Sequence, residues 1–396
     1  MSAFHRLDEA PSGKTALVRV DFNVPMAEGH VTDDTRLRAA LETIQALRAK
    51  GCKTVLLAHF DRPKGKRVPS MSLAPVVAPL AALLETPVAF GEDCIGDMAA
   101  SAIAALPAGG VILLENTRFH SGEETNDPAL AQAMAALGDF YVNDAFSAAH
   151  RAHASTEGLA RLLPGFAGRS MERELDALDS ALGNARRPVL GIVGGSKVST
   201  KIELLKNLVG KLDKLAIGGG MANTFLAAQG WEVGASMYEK DLAETAREIM
   251  KLAGQRKCEL LLPIDTIVAE KLDARAPAFV RGLGDIDDDE RILDAGPETI
   301  ARLTRAMDES NTLIWNGPLG VFETPPFDHG TIAAARHAAA RAKNGKLIAV
   351  AGGGDTVAAL NHAGVYDDFT FVSTAGGAFL EWMEGKPLPG VEALTR

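Results

Sequence analysis

Arginine, histidine, aspartate and asparagine recur through the first part of the chain, each time at the end of a short apolar run. Arg19, Asp21 and Asn23 close TALVRVDFN, and Arg36 opens the amphipathic stretch that follows. His59 and Arg62 stand in AHFDRPKG, Arg118 and His120 in VILLENTRFH, and His150, Arg151 and His153 in NDAFSAAHRAHAS. Guanidinium groups gathered at one sheet edge repel one another unless an anion sits among them, and arginine grips phosphate and carboxylate with two-pronged hydrogen bonds. Asp21 and Asn23 add acceptors for hydroxyls. Together these residues suit a small, multiply anionic, hydroxylated molecule. Singly, Arg36 equally suits an exposed helix position and His59 a core histidine, so the coincidence carries the inference. His150 and His153 lack an acidic or cysteine partner at metal-ligand spacing, which speaks against a metal there.

The later part of the chain carries a different chemistry. Its apolar runs end in glycine: GGSK (194–197), GGG (218–220), NGPLG (316–320), GGGDT (352–356) and AGG (375–377). Glycines let a backbone approach phosphates and turn N–H groups toward them at helix starts, although each cluster also suits a tight turn. GIVGGSKVSTK departs from the phosphate-loop rule, with Ser196 at the second glycine position and Val198 after Lys197. The dinucleotide pattern is absent too, because Asn223 and Val357 fill its third-glycine positions. Lys197 and Lys201, four apart, are expected on one side of the following helix, where a bound phosphate offsets their unfavourable position at a helix N-terminus. Asp355, at the start of another helix, serves either as a cap or as a holder of magnesium carried by nucleotide phosphates. Glu323 is placed to accept from ribose hydroxyls, and the Gly353–Gly354–Asp355–Thr356 turn to meet phosphates.

These residues need strand ends to stand on. Short β-branched runs occur at 15–22, 54–60, 87–90, 111–119 and 139–146, then at 188–194, 214–219, 259–268, 312–317, 346–353 and 369–374. Amphipathic segments separate them, such as DDTRLRAALETIQALRAKG, which Asp33 or Asp34 can cap and Gly51 can end. This alternation predicts an α/β fold of two tandem, doubly wound, Rossmann-like parallel-sheet domains. The charged segment RSMERELDALDSALGNARRP has no neighbouring strand and reads as a joining helix. The expected division is a first domain over 1–168, a helix and hinge over 169–187, and a second domain over 188–387. Ligands bind beyond the carboxyl ends of such strands. One domain is therefore expected to hold a small anion and the other a nucleotide, with closure bringing them together.

Composition narrows the class. A net charge of −10 speaks against a general nucleic-acid binder. Three cysteines far apart, Cys52, Cys94 and Cys258, fit buried thiols of a reduced, cytoplasmic protein. The N-terminus lacks an apolar signal core, and the apolar stretch VVAPLAALL is broken by Pro79 and too short to span a bilayer. No membrane partner is expected.

RVDFNVP, HFDRPKG, ENTRF, NDAFSAAHRAHAS, GGSKVSTKI, GGGMANTFL, WNGPLGVFE, GGGDT and STAGGA occur in an order that together resembles the phosphoglycerate kinase family, from about residue 15 to 386. The resemblance implies reversible phosphoryl transfer between 1,3-bisphosphoglycerate with ADP and 3-phosphoglycerate with ATP, using magnesium and a hinge-bending fold. It implies that Asp21, Asn23, Arg36, His59, Arg62, Arg118 and Arg151 serve the glycerate side. It places Lys201, Glu323 and Gly353 to Thr356 on the nucleotide side, Asp355 near the metal, and Lys197 beside the moving phosphoryl group. Arg36 and Lys197 are thus the expected catalytic pair, acting in a monomer. A tail over 388–396 is implied to return to the first domain.

The sequence departs from that family at Phe60-Asp61 (often Leu-Gly), Thr117, Ser147-Ala148, Ser196, the LDAGP block and Ala375. Asp61 adds a carboxylate near the anion site, and Ala375 adds a Cβ where the family carries glycine. Two rivals are weighed on the residues alone. A nicotinamide-dependent dehydrogenase would bind NADH and no ATP. A two-domain anion receptor would bind without turnover.

Overall fold

The computed structural model describes residues 4–395; positions 1–3, and Arg396 of the expected tail, lie outside the described residues. The chain divides into two compact units. One comprises the described residues up to Asp176 together with those from Pro387 onward, and the other is Ala177–Lys386.

The first unit is built on β1 (Thr15–Arg19), β2 (Lys53–Leu57), β3 (Val88–Gly91), β4 (Val111–Leu114), β5 (Phe140–Asn143) and β6 (Gly165–Ala167). They form one sheet in the order β3-β4-β2-β1-β5-β6, parallel throughout. A parallel sheet is covered on both faces, so its strands read as unbroken apolar runs. In β1 four consecutive residues, Ala16 to Arg19, are buried, and the buried cation among them needs partners. Helix α1 (Thr35–Ala49) packs Leu37, Ala40, Ile44 and Leu47 inward at helical spacing. The Asp33 carboxylate accepts from Thr35 N–H (2.8 Å), and Gly51, at φ +72°, lets the chain leave. The order reverses between β1 and β5, and a crevice forms at such a switch point.

Helix α2 (Arg169–Leu178) follows β6. Its first turn is capped by Asp144, which accepts from Ser170 N–H (2.8 Å) and Met171 N–H (3.2 Å). The division between the units falls inside this helix, after Asp176, rather than at its two ends as the sequence suggested. Its first eight residues, Arg169 to Asp176, belong to the first unit, where Glu172 accepts from Leu7 N–H (2.8 Å).

The second unit carries β7 (Val189–Val193), β8 (Lys214–Ile217), β9 (Glu259–Leu261), β10 (Asp265–Ala269), β11 (Phe279–Gly282), β12 (Arg291–Ala295), β13 (Thr312–Asn316), β14 (Ile348–Gly352) and β15 (Phe371–Ser373). Six of them form a parallel sheet, β9-β8-β7-β13-β14-β15, whose order reverses between β7 and β13. The single strand expected over 259–268 is two strands. Pro263, which cannot donate to a ladder, lies at the break, and β10 leaves for a separate antiparallel sheet, β11-β10-β12. Helices α3 (Ile202–Val209), α4 (Gly220–Ala228), α5 (Gly354–Ala363) and α6 (Gly376–Met383) begin close to the carboxyl ends of β7, β8, β14 and β15.

Helix α7 (Pro389–Glu392) belongs to the first unit. Gly390 N–H donates to Ala149 O (2.9 Å), and its own carbonyl accepts from the Asn143 amide (3.1 Å). Among the described residues no helix is long and apolar enough to cross a membrane. All three cysteines are free and buried.

Candidate active site

The switch point of the first sheet opens into a cavity of about 210 Å³. Asp21, Asn23, Arg36, His59, Arg62, Arg118 and Arg151, drawn from four strand ends and one helix start, all line it. Asp21 bridges the crevice: its carboxylate accepts from Arg36 Nη1 (2.9 Å) on one side and from Ser147 Oγ (2.6 Å), beyond β5, on the other. Arg36 Nη1 also donates to Asn23 O (2.9 Å). Arg118 is 5% exposed, and burial pulls its guanidinium below its ordinary value. It donates to Asp61 O (2.8 Å) and pairs with Glu124 (3.3 Å), while its buried Nε finds no partner among the described residues. A buried donor left over in a cationic pocket is a seat for an anion.

Asp61 occupies the left-handed region, φ +51°, a conformation natural to glycine and tolerated by aspartate. Its backbone serves the pocket, N–H donating to Asn23 Oδ1 (2.9 Å) and C=O accepting from Arg118. Asp61 is itself one of the lining residues. Two histidines, His59 half-buried and His153 buried, are held toward the neutral form. Burial, then Arg19, holds His59 well below its ordinary value, and burial with the nearby arginines brings His153 to about 4. Asp93, Cys94 and His120 also cluster, with His120 Nε2 and Asp93 Oδ1 at 2.7 Å. Burial and the adjoining carboxylates push the Cys94 thiol far up, so it stays S–H in the metal-free protein.

The second unit holds a cleft of about 430 Å³. Its lining includes the glycine-rich segments Gly195, Ser196, Gly219, Gly220 and Gly320, with Glu323 and Asp355. The same lining includes the apolar side chains of Met237, Leu272, Leu293 and Val321. Nothing in the sequence marked those apolar side chains. A phosphate end of N–H groups beside an apolar slot for a flat base is the shape a nucleotide needs.

Lys197 and Lys201 do not share a helix face. Lys197 is extended and exposed, a short turn over Val198–Thr200 follows, and α3 starts only at Ile202. The close packing of Gly194 on Gly317 and Pro318 explains this. A Cβ on Gly194 would lie 1.8 Å from Pro318 O, so the chain must leave β7 flat against the neighbouring loop before it can coil. Lys201 turns back over the switch point, donating to Gly194 O and to Asn316 Oδ1, each at 2.6 Å. Burial lowers its ammonium to about 8, against the pull of Asp355.

In the GGGDT turn Gly353 takes φ +100°, and a Cβ there would meet Asn316 Nδ2 at 2.7 Å. Thr356 is buried and accepts from Gly317 N–H (2.7 Å), so its hydroxyl fixes the loop. Asp355 is exposed at the N-terminus of α5. Ala375 has φ −90°, which any residue adopts; its Cβ imposes no backbone strain.

A family model described as phosphoglycerate kinase matches residues 7–386. The chain is 69% identical over 392 residues to phosphoglycerate kinase of Caulobacter vibrioides (strain NA1000 / CB15N), covering 99% of each chain. It is 60% identical over 398 residues to that of Mesorhizobium japonicum, covering both chains fully. Among solved structures, phosphoglycerate kinase from Coxiella burnetii superposes with a TM-score of 0.94 at 42% identity over 99% of each chain. The enzyme from Pyrococcus horikoshii does so with 0.78 at 29% identity over 98% of each. The chain belongs to the phosphoglycerate kinase family, phosphotransferases that use a carboxyl group as acceptor.

Proposed function

We propose that the chain transfers a phosphoryl group reversibly between 1,3-bisphosphoglycerate with ADP and 3-phosphoglycerate with ATP, as a cytoplasmic monomer of glycolysis and gluconeogenesis. The buried, unpartnered Nε of Arg118, in a cavity shared with Arg36, Arg62 and Arg151, supports the anion side most directly. The glycine-lined cleft supports the nucleotide side.

In the ATP-consuming direction the acceptor is a carboxylate, already ionised at neutral pH, so no general base is needed. Catalysis then consists of positioning and charge neutralisation. Arg36 is assigned to the reacting carboxyl oxygen and Lys197 to the phosphoryl oxygens. Asp21, Asn23, His59, Arg62, Arg118 and Arg151 orient the glycerate. Lys201, Glu323 and the turn from Gly353 to Thr356 hold ATP/ADP. A lone exposed carboxylate at a phosphate end suits Mg2+, which keeps several waters and takes one or two protein ligands, so Asp355 is assigned to it. When bound, magnesium supplies neutralisation of phosphate charge. Transfer also requires the two ligands to meet away from water, a step assigned to hinge bending.

The test is ADP release from Mg-ATP with and without 3-phosphoglycerate, with a coupled enzyme removing the acyl phosphate. Release that depends on both magnesium and acceptor is the expected result. Binding of both ligands without release would overturn the proposal.

A further inference from the structure

Arg19 lies at the end of β1, fully buried and part of the lining of the anion cavity. A buried guanidinium is costly unless its charge and its donors are met. Among the described residues it forms no ion pair with a carboxylate. Instead Nε donates to Ser155 Oγ (2.8 Å), Nη1 to Val20 O (2.5 Å) and Nη2 to His59 Nδ1 (2.8 Å). Its counter-charge arrives one residue further on. Ser155 Oγ donates to Glu123 Oε1 (2.5 Å), and Ser155 N–H to Glu123 Oε2 (3.0 Å). Glu123 is itself fully buried and also accepts from Thr117 Oγ1 (3.2 Å), next to Arg118. The Tyr141 hydroxyl holds the carbonyl of Ser155 from β5 (3.0 Å).

The polarity of this chain is fixed at every link. A carboxylate only accepts and a guanidinium only donates. Ser155 must therefore give its proton to Glu123 and take one from Arg19. His59 Nδ1 must accept, which leaves the imidazole proton on Nε2. The burial that keeps His59 neutral removes the doubly protonated alternative.

We propose that Glu123 and Ser155 are positioning residues for the anion pocket, acting through Arg19 to hold His59 as a neutral Nε2–H donor toward the bound ligand. Arg19 lines the pocket too, but three of its five N–H donors are committed to Ser155, Val20 and His59, so it links the buried Ser155–Glu123 pair to His59. A neutral donor suits a pocket already rich in guanidinium groups, because it orients a ligand oxygen without adding repulsion. The ligand's identity rests on the function proposed above; the tautomer does not.

Nitrogen-15 NMR of the imidazoles in the ligand-free protein, with His59→Gln to assign the signal, reads the tautomer directly. The expected result is a protonated Nε2 and an unprotonated Nδ1 for His59. Ser155→Ala should mix the two tautomers and raise the 3-phosphoglycerate KM by about tenfold to a hundredfold, the cost of leaving buried partners unmet. The Mg-ATP KM should stay within about twofold, since the change lies at the other ligand's site. Should Ser155→Ala fail to fold, Glu123→Gln replaces it with the same expectations. A protonated Nδ1 in the unaltered protein overturns the proposal, as does a variant that keeps both the tautomer and the KM. An unaltered protein that shows the Nε2–H form but ignores 3-phosphoglycerate would instead overturn the assigned ligand alone.

Discussion

Lys201 Nζ donates to Asn316 Oδ1 at 2.6 Å, so an ammonium that follows β7 is tied to a carboxamide at the end of β13, across the switch point of the second sheet. Burial brings that ammonium to about 8. At pH 8 a large fraction of the free protein carries neutral Lys201, whereas a bound phosphate favours the charged form. Nucleotide binding should take up protons near pH 8 and weaken as pH rises from 7 to 9. Calorimetry in two buffers of different ionisation heat measures the uptake. An apparent binding enthalpy that is the same in both buffers at pH 8 removes Lys201 from the phosphate site.

Lys197 stands exposed at the mouth of the glycine loop. Lys197→Ala should lower kcat by about a hundredfold or more, the usual cost of removing one charge aimed at a transition state. Its Mg-ADP Kd should change only a few-fold. Arg62→Ala, in the other cavity, should act mainly on the 3-phosphoglycerate KM. An Arg62→Ala protein that loses ATP binding would falsify the division of labour between the two units.

Asp61→Gly keeps both backbone hydrogen bonds of that residue and removes its carboxylate from the anion cavity. Relief of the left-handed strain and the added freedom of glycine in the unfolded chain are each worth about 0.5–1 kcal/mol and oppose one another, so Tm should hardly move. The KM for 3-phosphoglycerate should fall about two- to fivefold at low salt, and less at high salt. A KM indifferent to the substitution at low ionic strength would show that the carboxylate points its field elsewhere.

Asp294 is buried beside the Gly320 loop, accepts from Gly330 N–H (2.7 Å) and Ala295 N–H (2.8 Å), and is pushed up to about 7 by burial, with Asp328 adding to the effect. An unfolded aspartate titrates near 3.9. Between these values the folded protein keeps a proton that the unfolded chain has lost. This contribution to stability is therefore whole below about pH 4 and disappears as pH rises toward 7. Asp294→Asn cannot titrate. Its stability relative to the parent should improve by about 2–3 kcal/mol between pH 5 and pH 8. Thermal melts of both proteins at the two pH values give the answer, and a constant difference would mean that Asp294 stays ionised.

Sequence pattern sufficed where a residue's role follows from its own chemistry. The eleven apolar runs each fall on a strand, one of them on two, chiefly because a parallel sheet hides both faces, and the arginines announced their pocket because guanidinium groups gathered at one sheet edge call for an anion. It failed where the partner is remote. β6 (Gly165–Ala167) is three residues long and leaves no periodic signal. β11 and β12 flank β10 in an antiparallel sheet that no βαβ alternation foretells. Met237, Leu272, Leu293 and Val321 look like ordinary apolar residues until the cleft assembles them. Lys197 and Lys201 misled for a related reason: a four-residue spacing implies one face only inside a helix, and the glycine contact behind them delays the helix. Glu123 and Ser155 support the pocket from beneath, where only three-dimensional contact reveals them.

The return of α7 to the first unit has a consequence for how the protein is made. Gly390 N–H closes on Ala149 O, and its carbonyl on the amide of Asn143, beside the loop that carries His150 and Arg151. In the linear message, the entire second unit is spelled out between those partners and the residue that meets them. A nascent chain can assemble the first sheet early, but the loop that carries His150 and Arg151 waits until the second unit has been made before Gly390, its backbone partner, emerges from the ribosome.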